Sequence, residues 1–269
     1  MRLVTLNLLL TELVLTLELT PQAIANIPLY RRLVAEPDLP SSVRDVGSLQ
    51  EPNLEYLRIL SPDLILAADW QAATQANLSL AGPVQTFPTF PGRTPAIEHA
   101  TAILLAIAEL VGRESLAHGV AEACGEVLRE TRARLAAFSL PPIYVCRFME
   151  DGRHMALFGG RGLVGDVLFR TGLVNAWQGS VNGSGVTSSP LRRLADVPEA
   201  AIVHFDRGTE TERAMQRLSD NPVWTALPAV RAGRVVRLPV VYPNGGLRTA
   251  MRFAALLGDR LSELAPNDG

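Results

Sequence analysis

The amino-acid sequence predicts an α/β protein of two lobes with largely parallel sheets, joined by one long backbone helix. In the first half, short apolar runs alternate with amphipathic ones, which is typical of βα units around a parallel sheet. Residues 114–137 keep helical spacing without a proline, and a second series of strands and helices follows. These observations predict an N-terminal lobe over residues 1–113, a connecting helix over 114–139 and a C-terminal lobe over 140–269.

The first lobe opens with a strand and an amphipathic helix. Residues 3–6 are apolar enough for a buried strand, and the apolar positions that follow share one helical face. Thr11 is a suitable N-cap for this helix. Glu51 and Pro52 open another helix, since proline at the first helical position gives up no hydrogen bond. Residues 63–67 then predict a second buried strand.

Two helices lead out of the first lobe. One begins at Thr94 and Pro95 and ends near Val111, where Gly112 suits the left-handed position after a helix. The other is the connecting helix over residues 114–137, which at 1.5 Å per residue is about 36 Å long. A helix of this length can cross from one lobe to the other, and a single rigid bridge allows only small movements of the lobes.

The second lobe repeats the order of strands and helices. We predict a strand over residues 143–147, a helix over 162–171, strands over 201–204 and 234–238, and a final helix from about 247 to 264. Two tryptophans of this half, Trp177 and Trp224, are predicted to anchor its core.

Composition excludes several classes of function. The chain has 25 basic and 27 acidic residues, and every basic residue is an arginine. Without a lysine it can form neither a Schiff base nor a phosphate-binding G-K-[ST] loop. A near-neutral chain with no basic block also lacks the electrostatic footprint of a nucleic-acid-binding protein.

Histidine and cysteine patterns argue against a metal site. The four histidines form no H-E-x-x-H motif and no i, i+4 pair, and His154 is interpreted as a loop histidine bonded to backbone. Cys124 falls on a helix and Cys146 on a strand. A disulfide between them is possible in an oxidising compartment, but two buried free thiols are the favoured prediction. The glycine-rich run at residues 159–162 lacks the full dinucleotide fingerprint.

The apolar N-terminus is interpreted as part of the mature protein. It carries Glu12 and Glu18 and has no small-residue cleavage site, so it does not fit an export signal. The expectation is that an export signal is absent from this chain.

Three blocks of sequence resemble the ferric-hydroxamate-binding proteins of bacterial iron-siderophore import. They are residues 150–194, with the RHM-x-x-F-G and G-L-V-N-A-W-Q-G runs, residues 45–66, and residues 221–239. The resemblance implies a periplasmic monomer that catalyses nothing and needs no cofactor. It implies a ferric siderophore as ligand, with the iron held by the siderophore and no direct metal ligand from the protein. It also implies an inner-membrane ABC permease as partner.

Loop residues that follow strands are the predicted ligand contacts, because α/β folds place ligands at the carboxyl ends of their strands. Tyr242 and Trp70 are aromatic residues at such positions, and the resemblance places an aromatic ligand contact at Tyr242. The same resemblance puts Leu49, Gln71 and Ser184 where the family has an arginine, a tyrosine and a tryptophan. The predicted contact set is therefore Tyr242, Trp70, Gln71, Leu49, Ser184, Asn182, Asn244 and Arg147.

Arg147 is included because the family's arginine donates to the iron-bound hydroxamate oxygens and Leu49 cannot. Arg31, Arg93 and Arg153 also lie near loops that could reach the cleft, but Arg147, at the end of a strand, is the preferred substitute.

Two other functions stay open at this point. The three departures from the family pattern leave room for another bulky ligand on the same fold, such as cobalamin, haem or a non-hydroxamate chelate. An enzyme that releases iron from the siderophore is disfavoured, because no cysteine pair has redox spacing and no cofactor motif is present. The family's docking carboxylates are also missing at residues 73–77 and 190–193, so either Asp196 and Glu199 serve or the permease partner differs.

Overall fold

The N-terminal sheet is parallel throughout. The computed structural model describes residues 1–71 and 77–262. The strand order is β3-β2-β1-β4-β5, and every pair is parallel. The strands are β1 Leu3–Thr5, β2 Ala23–Ile24, β3 Arg44–Asp45, β4 Leu64–Ala68 and β5 Val84–Phe87. This sheet confirms the βα prediction for the first half of the chain.

The C-terminal sheet is mixed, which corrects the expectation of a largely parallel sheet in this lobe. Its order is β10-β9-β6-β7-β8, with β6, β9 and β10 parallel and with β7 and β8 added antiparallel. The strands are β6 Ile143–Phe148, β7 His154–Phe158, β8 Val186–Pro190, β9 Ala201–Asp206 and β10 Val235–Pro239. Neither antiparallel strand was predicted. β8, at the edge of the sheet, is polar and only partly buried, whereas β7 is apolar and buried apart from His154.

Three of the four helices described in the first half begin where an asparagine side chain caps them, and the fourth follows Pro95 without a side-chain cap. The helices are α1 Leu8–Thr16, α2 Ile27–Leu33, α3 Leu54–Leu60 and α4 Ala96–Val111. Asn7 Oδ1 accepts from Leu9 N–H at 2.9 Å, so α1 starts before Thr11 and the predicted cap is wrong. Asn53 likewise caps α3, two residues after the predicted start. At the end of α4, Gly112 takes the left-handed conformation as predicted (φ 67°).

The connecting helix is α5, Glu114–Leu135, and its C-cap is Ala136. The helix predicted over residues 114–137 is confirmed apart from its last two residues. The chain positions at which the lobes divide, residues 113 and 140, stay a prediction.

Of the helices described in the second half, the first and the last lie where the sequence placed them, and the three between them were not predicted. The helices are α6 Leu163–Arg170, α7 Thr209–Ser219, α8 Pro222–Ala226, α9 Pro228–Arg231 and α10 Leu247–Leu261. The last two positions of the predicted final helix, 263 and 264, lie outside the described residues. None of the helices within the described ranges is long and apolar enough to cross a membrane.

One hydrophobic core runs through both lobes. A single cluster of buried side chains includes Leu10 of α1, Ile107 of α4, Val145 of β6 and Phe253 of α10. Phe253 meets Phe205 of β9 edge to face, with ring centroids 5.6 Å apart. Because core side chains belong to both sheets, the lobes are packed against each other as well as linked by α5.

Two buried carboxylates cap helices of the opposite lobe. Glu12 of α1 accepts from Gly246 N–H at 2.8 Å and from Thr249 N–H and Oγ1–H at 2.9 and 2.7 Å, at the start of α10. Asp166 of α6 accepts from Ile97 N–H at 2.9 Å, in the first turn of α4. These contacts, called the reciprocal caps below, satisfy helix donors that have no partner within their own helix.

Both cysteines are free and buried, as predicted. Burial raises the pKa of Cys124 to about 11. The thiol is therefore neutral at physiological pH and packs as a small apolar side chain.

Candidate functional site

A cleft of about 260 Å³ opens at the carboxyl ends of β6, β9 and β10, where the second lobe faces the first. Leu33, the last residue of α2, forms its wall on the side of the first lobe. The other lining residues are Arg147, Ala156, Phe158, Val186, Phe205, Arg207, Val240, Val241, Tyr242 and Pro243. The cleft therefore combines apolar and aromatic walls with two guanidinium groups and one phenol, a lining that suits a bulky and partly apolar ligand.

Tyr242 lies in this cleft, three residues after β10 ends at Pro239. It packs against the buried cluster that contains Leu8 and Tyr30 of the first lobe, so its ring joins the two lobes. Burial raises the pKa of the Tyr242 hydroxyl, and a hydrogen bond with the Asn244 side chain partly opposes that rise. The hydroxyl is thus protonated at neutral pH and can donate to a ligand oxygen.

Arg147 also lines the cleft, on the penultimate position of β6. Its guanidinium contacts Met149 Sδ at 3.7 Å. Within the described part of the chain it pairs with no carboxylate, which leaves its charge available to a ligand.

Arg207 is a cleft residue that the sequence did not single out. It directly follows β9, and its side chain is 12% exposed. Its Nη1 pairs with Glu210 at 3.1 Å, whereas its Nε is buried and donates to no described residue. The rule that ligands lie at the carboxyl ends of strands applies to Arg207 as much as to Tyr242 and is the signal that could have found it.

The three ligand contacts predicted in the first lobe, Leu49, Trp70 and Gln71, are not among the residues that line this cleft. Leu49 is half-buried and packs against the same cluster as Tyr242. Trp70 is 39% exposed, in a 3₁₀ turn over Asp69–Gln71. Gln71 is buried, where its Nε2 donates to the Leu49 carbonyl at 2.6 Å and its Oε1 accepts from Ala68 N–H at 2.7 Å. The Gln71 side chain therefore braces the loop that carries Leu49.

Asn182 and Ser184 belong to the turn that leads into β8. Asn182 Oδ1 accepts from the backbone N–H groups of Ser184 and Val186, at 3.0 and 3.1 Å. Because Val186 lines the cleft, Asn182 shapes the cleft wall through the backbone. Ser184 is half-buried in the same turn.

The other residues singled out from the sequence have structural surroundings. Trp224 is buried in the second-lobe core, and Trp177 is partly buried against it, as predicted. His154 Nδ1 lies 2.7 Å from Asp151 Oδ2, so its side chain bonds to a carboxylate and not to backbone as interpreted. That hydrogen bond lowers the pKa of Asp151 to about 2. No group of metal-ligating side chains occurs over residues 1–71 and 77–262.

The predicted docking positions are only partly described. Positions 73–76 of the first lobe lie outside the described residues. In the second lobe, Asp196 pairs with Arg193 at 2.9 Å, so its carboxylate is already engaged on the protein surface.

The two α/β lobes, the single long helix between them and the cleft at the strand ends define a two-lobed solute-binding protein. Residues 3–242 match the periplasmic binding protein family. The chain belongs to this family, whose members bind solutes and are not enzymes. Membership of this family excludes the alternative of an enzyme that releases iron from the siderophore.

Known relatives give a finer comparison. The iron(3+)-hydroxamate-binding protein FhuD of Escherichia coli (strain K12) is 32% identical over 260 residues, which are 97% of this chain and 86% of that protein. The crystal structure of the Fe3+-Desferal-bound siderophore binding protein FhuD from Vibrio cholerae has 31% identity and a TM-score of 0.91, and the match covers 99% of each chain. The triscatecholate siderophore binding protein FeuA of Bacillus subtilis shares the fold, with a TM-score of 0.73 and 18% identity over 97% of this chain and 92% of that one.

Proposed function

We propose that this protein binds a ferric siderophore of the hydroxamate class in the cleft between its lobes and delivers it to an inner-membrane ABC permease. The observation that carries the proposal is the cleft itself, in which Tyr242 and two arginines project between apolar walls. The relatives from Escherichia coli and Vibrio cholerae, which cover nearly the whole chain, support the ligand class. The protein acts in the periplasm, as a monomer.

The side chains of the cleft would contact the outer surface of the chelate, and the siderophore alone would coordinate the iron. The aromatic and aliphatic side chains of Phe158, Phe205 and Val241 desolvate the carbon frame of the chelate. The Tyr242 ring packs on the chelate face, and Arg147 donates to the iron-bound oxygens, which carry the negative charge of the hydroxamates. Since α5 and the shared core hold the lobes together, binding closes the cleft by small side-chain movements.

A panel of ferric chelates tests this function. Intrinsic tryptophan fluorescence of the purified protein would be followed while ferric hydroxamates, ferric catecholates, cobalamin and haem are added in turn. Micromolar or tighter binding of a ferric hydroxamate supports the proposal. A protein that binds cobalamin or haem and no ferric hydroxamate would instead have the second candidate function, which is motivated by Leu49, Gln71 and Ser184 at the three departures from the family pattern.

Removing the Tyr242 ring is expected to weaken siderophore binding. Tyr242→Ala should cost about 1–3 kcal/mol, or about 5- to 200-fold in dissociation constant, because the ring leaves a desolvated cleft. Fluorescence titration with one ferric trihydroxamate measures the change. The matched control is Phe169→Ala, which removes a ring that is 79% exposed on α6 and should leave the affinity as it is. Equal affinities for Tyr242→Ala and the parent would remove this residue from the site.

Removing the arginine of the second lobe and adding one in the first lobe are expected to have opposite effects on the affinity for a ferric trihydroxamate. Arg147→Ala should weaken binding by about 1.5–3 kcal/mol, the range for a charge-assisted hydrogen bond. Leu49→Arg should raise affinity for a simple ferric trihydroxamate, because it restores the donor of the family pattern. If both arginines address the same oxygens, the effects in the double variant will be less than additive.

The two single variants and the double variant would be titrated against the same ferric trihydroxamate. Arg129→Ala, on the exposed side of α5, is the control for loss of one positive charge. Unchanged affinity in Arg147→Ala contradicts its role, and weaker binding in Leu49→Arg means that the chelate does not approach the first lobe as the family pattern implies.

A further inference from the structure

The cleft holds more positive charge than a neutral chelate needs. Arg147 and Arg207 both line it, and they leave the sheet at the same edge because β6 and β9 are parallel neighbours in register. Among the cleft's described lining residues there is no aspartate or glutamate. Arg147 is assigned above to the iron-bound oxygens, which leaves the guanidinium of Arg207 available to a second group of the ligand.

The acid nearest to Arg207 does not neutralise the site. Glu210 Oε2 lies 3.1 Å from Arg207 Nη1, and Glu210 Oε1 lies 3.1 Å from Arg32 Nη1 on α2. One carboxylate is therefore shared by two arginines across the lobes. Arg32, Arg147 and Arg207 thus have one paired carboxylate among them, because the neighbouring Asp206 is paired with Arg237.

The edge of Arg207 that no described residue engages has the geometry for a carboxylate. Glu210 engages Nη1, which lies on the side of the guanidinium away from Nε. The opposite edge presents the Nε–H and one Nη2–H in parallel, the arrangement that binds both oxygens of a carboxylate. Nε is buried and donates to no residue of the described chain, so an incoming acceptor would satisfy a donor that is otherwise left unpaired.

The apolar walls around the Arg207 guanidinium strengthen its interaction with a charged ligand. Phe158, Val186 and Phe205 line the same cleft, and the Arg207 side chain is 12% exposed. Charges interact more strongly next to such apolar surfaces than in water, and a cleft of one sign attracts ligands of the opposite sign.

On these grounds, and on the basis of the proposed function, we propose that the cleft selects iron chelates that carry a free carboxylate, and that Arg207 binds that carboxylate while Arg147 serves the iron-bound oxygens. The substrate class is then an anionic ferric hydroxamate, and a neutral or cationic one is a poorer ligand.

A matched series of chelates tests the selectivity. Desferal is a trihydroxamate with one free amine, and that amine can be acetylated or succinylated without change to the iron-binding groups. The three ferric complexes differ only in a terminal ammonium, a neutral amide or a carboxylate. The unmodified protein is expected to bind the succinylated complex about 10- to 100-fold more tightly than the acetylated one, as a charge-assisted bond implies. The amine complex should bind most weakly.

Arg207→Gln assigns the preference to this residue. The variant should lose the 10- to 100-fold advantage of the succinylated complex, whereas Arg129→Gln, which removes one exposed charge from α5, should keep it. Arg147→Gln should weaken all three complexes. The chelate series is measured on the unmodified protein, so the charge selectivity can still be tested if Arg207→Gln misfolds.

Each result decides a different claim. Equal affinity of the unmodified protein for the three complexes overturns the charge selectivity and leaves siderophore binding standing. A preference that persists in a folded Arg207→Gln variant overturns the assignment to Arg207. Failure of all three complexes to bind overturns this inference, and failure of every ferric hydroxamate in the panel overturns the proposed function as well.

Discussion

Replacing Glu12 with alanine is expected to lower the free energy of unfolding by about 3–5 kcal/mol, because three buried hydrogen-bond donors lose their acceptor at once. The donors are the backbone N–H groups of Gly246 and Thr249 and the Thr249 hydroxyl, at 2.7–2.9 Å. Glu12 is fully buried, so water cannot take its place without opening the contact between α1 and α10. Chemical denaturation of the parent and the variant measures the loss.

Two further variants distinguish the loss of the Glu12 hydrogen bonds from the loss of one acidic side chain as the cause of the lower stability. Glu122→Ala removes an exposed carboxylate from α5 and should change stability by less than about 0.5 kcal/mol. Glu12→Gln keeps the side-chain shape and one acceptor oxygen, so its loss should be smaller than that of Glu12→Ala. If Glu12→Ala is no less stable than Glu122→Ala, the first of the reciprocal caps contributes nothing to the fold.

Acid is expected to destabilise the protein through His204, by about 3 kcal/mol between pH 6.5 and pH 4. His204 is buried on β9, its Nδ1 has no partner in the described chain, and its ring lies 5.2 Å from that of Phe148. Burial, together with the charge of Arg237, lowers the pKa of His204 from 6.5 to about 4, against the opposing charge of Asp206. Below pH 6.5 His204 binds a proton in the unfolded chain but stays neutral in the folded chain until about pH 4. The free energy of unfolding therefore falls as the pH falls.

The measurement is the free energy of unfolding at pH 7 and at pH 4.5 for the parent and for His204→Gln. The variant should lose about 2–3 kcal/mol less than the parent over this interval, because its side chain does not titrate there. His118→Gln, an exposed change on α5, should retain the pH dependence of the parent. Equal pH dependence in His204→Gln and the parent would show that His204 does not carry the effect.

The sequence predicted those parts of the fold that depend on local patterns. The connecting helix was found because its apolar positions recur without a proline, and the left-handed Gly112 marks the end of the helix before it. The antiparallel strand β8 was missed because its residues are polar and its partner β7 lies far back in the chain. The paired residues are between 28 positions apart, at Phe158 and Val186, and 36 positions apart, at His154 and Pro190. Pairing of this kind is fixed by the sheet and not by the strand's own residues.

Site prediction was limited by the direction of side chains. Sequence resemblance gave a chain position for Gln71 but not its orientation, and the side chain turns inward to bind backbone. Arg207 escaped notice because an arginine after a strand has no local feature that separates it from a surface residue. Glu12 was noticed only as a charge within an apolar run, since its partner Gly246 is 234 positions away.

The reciprocal caps also restrict how this chain can be recombined. Glu12 holds a helix of the second lobe, and Asp166 holds a helix of the first. A chimera that takes one lobe from a relative would have to keep a carboxylate opposite each helix start and would have to repack the core that both lobes share. We therefore expect the protein to tolerate changes of ligand preference in the cleft loops more readily than exchange of a whole lobe.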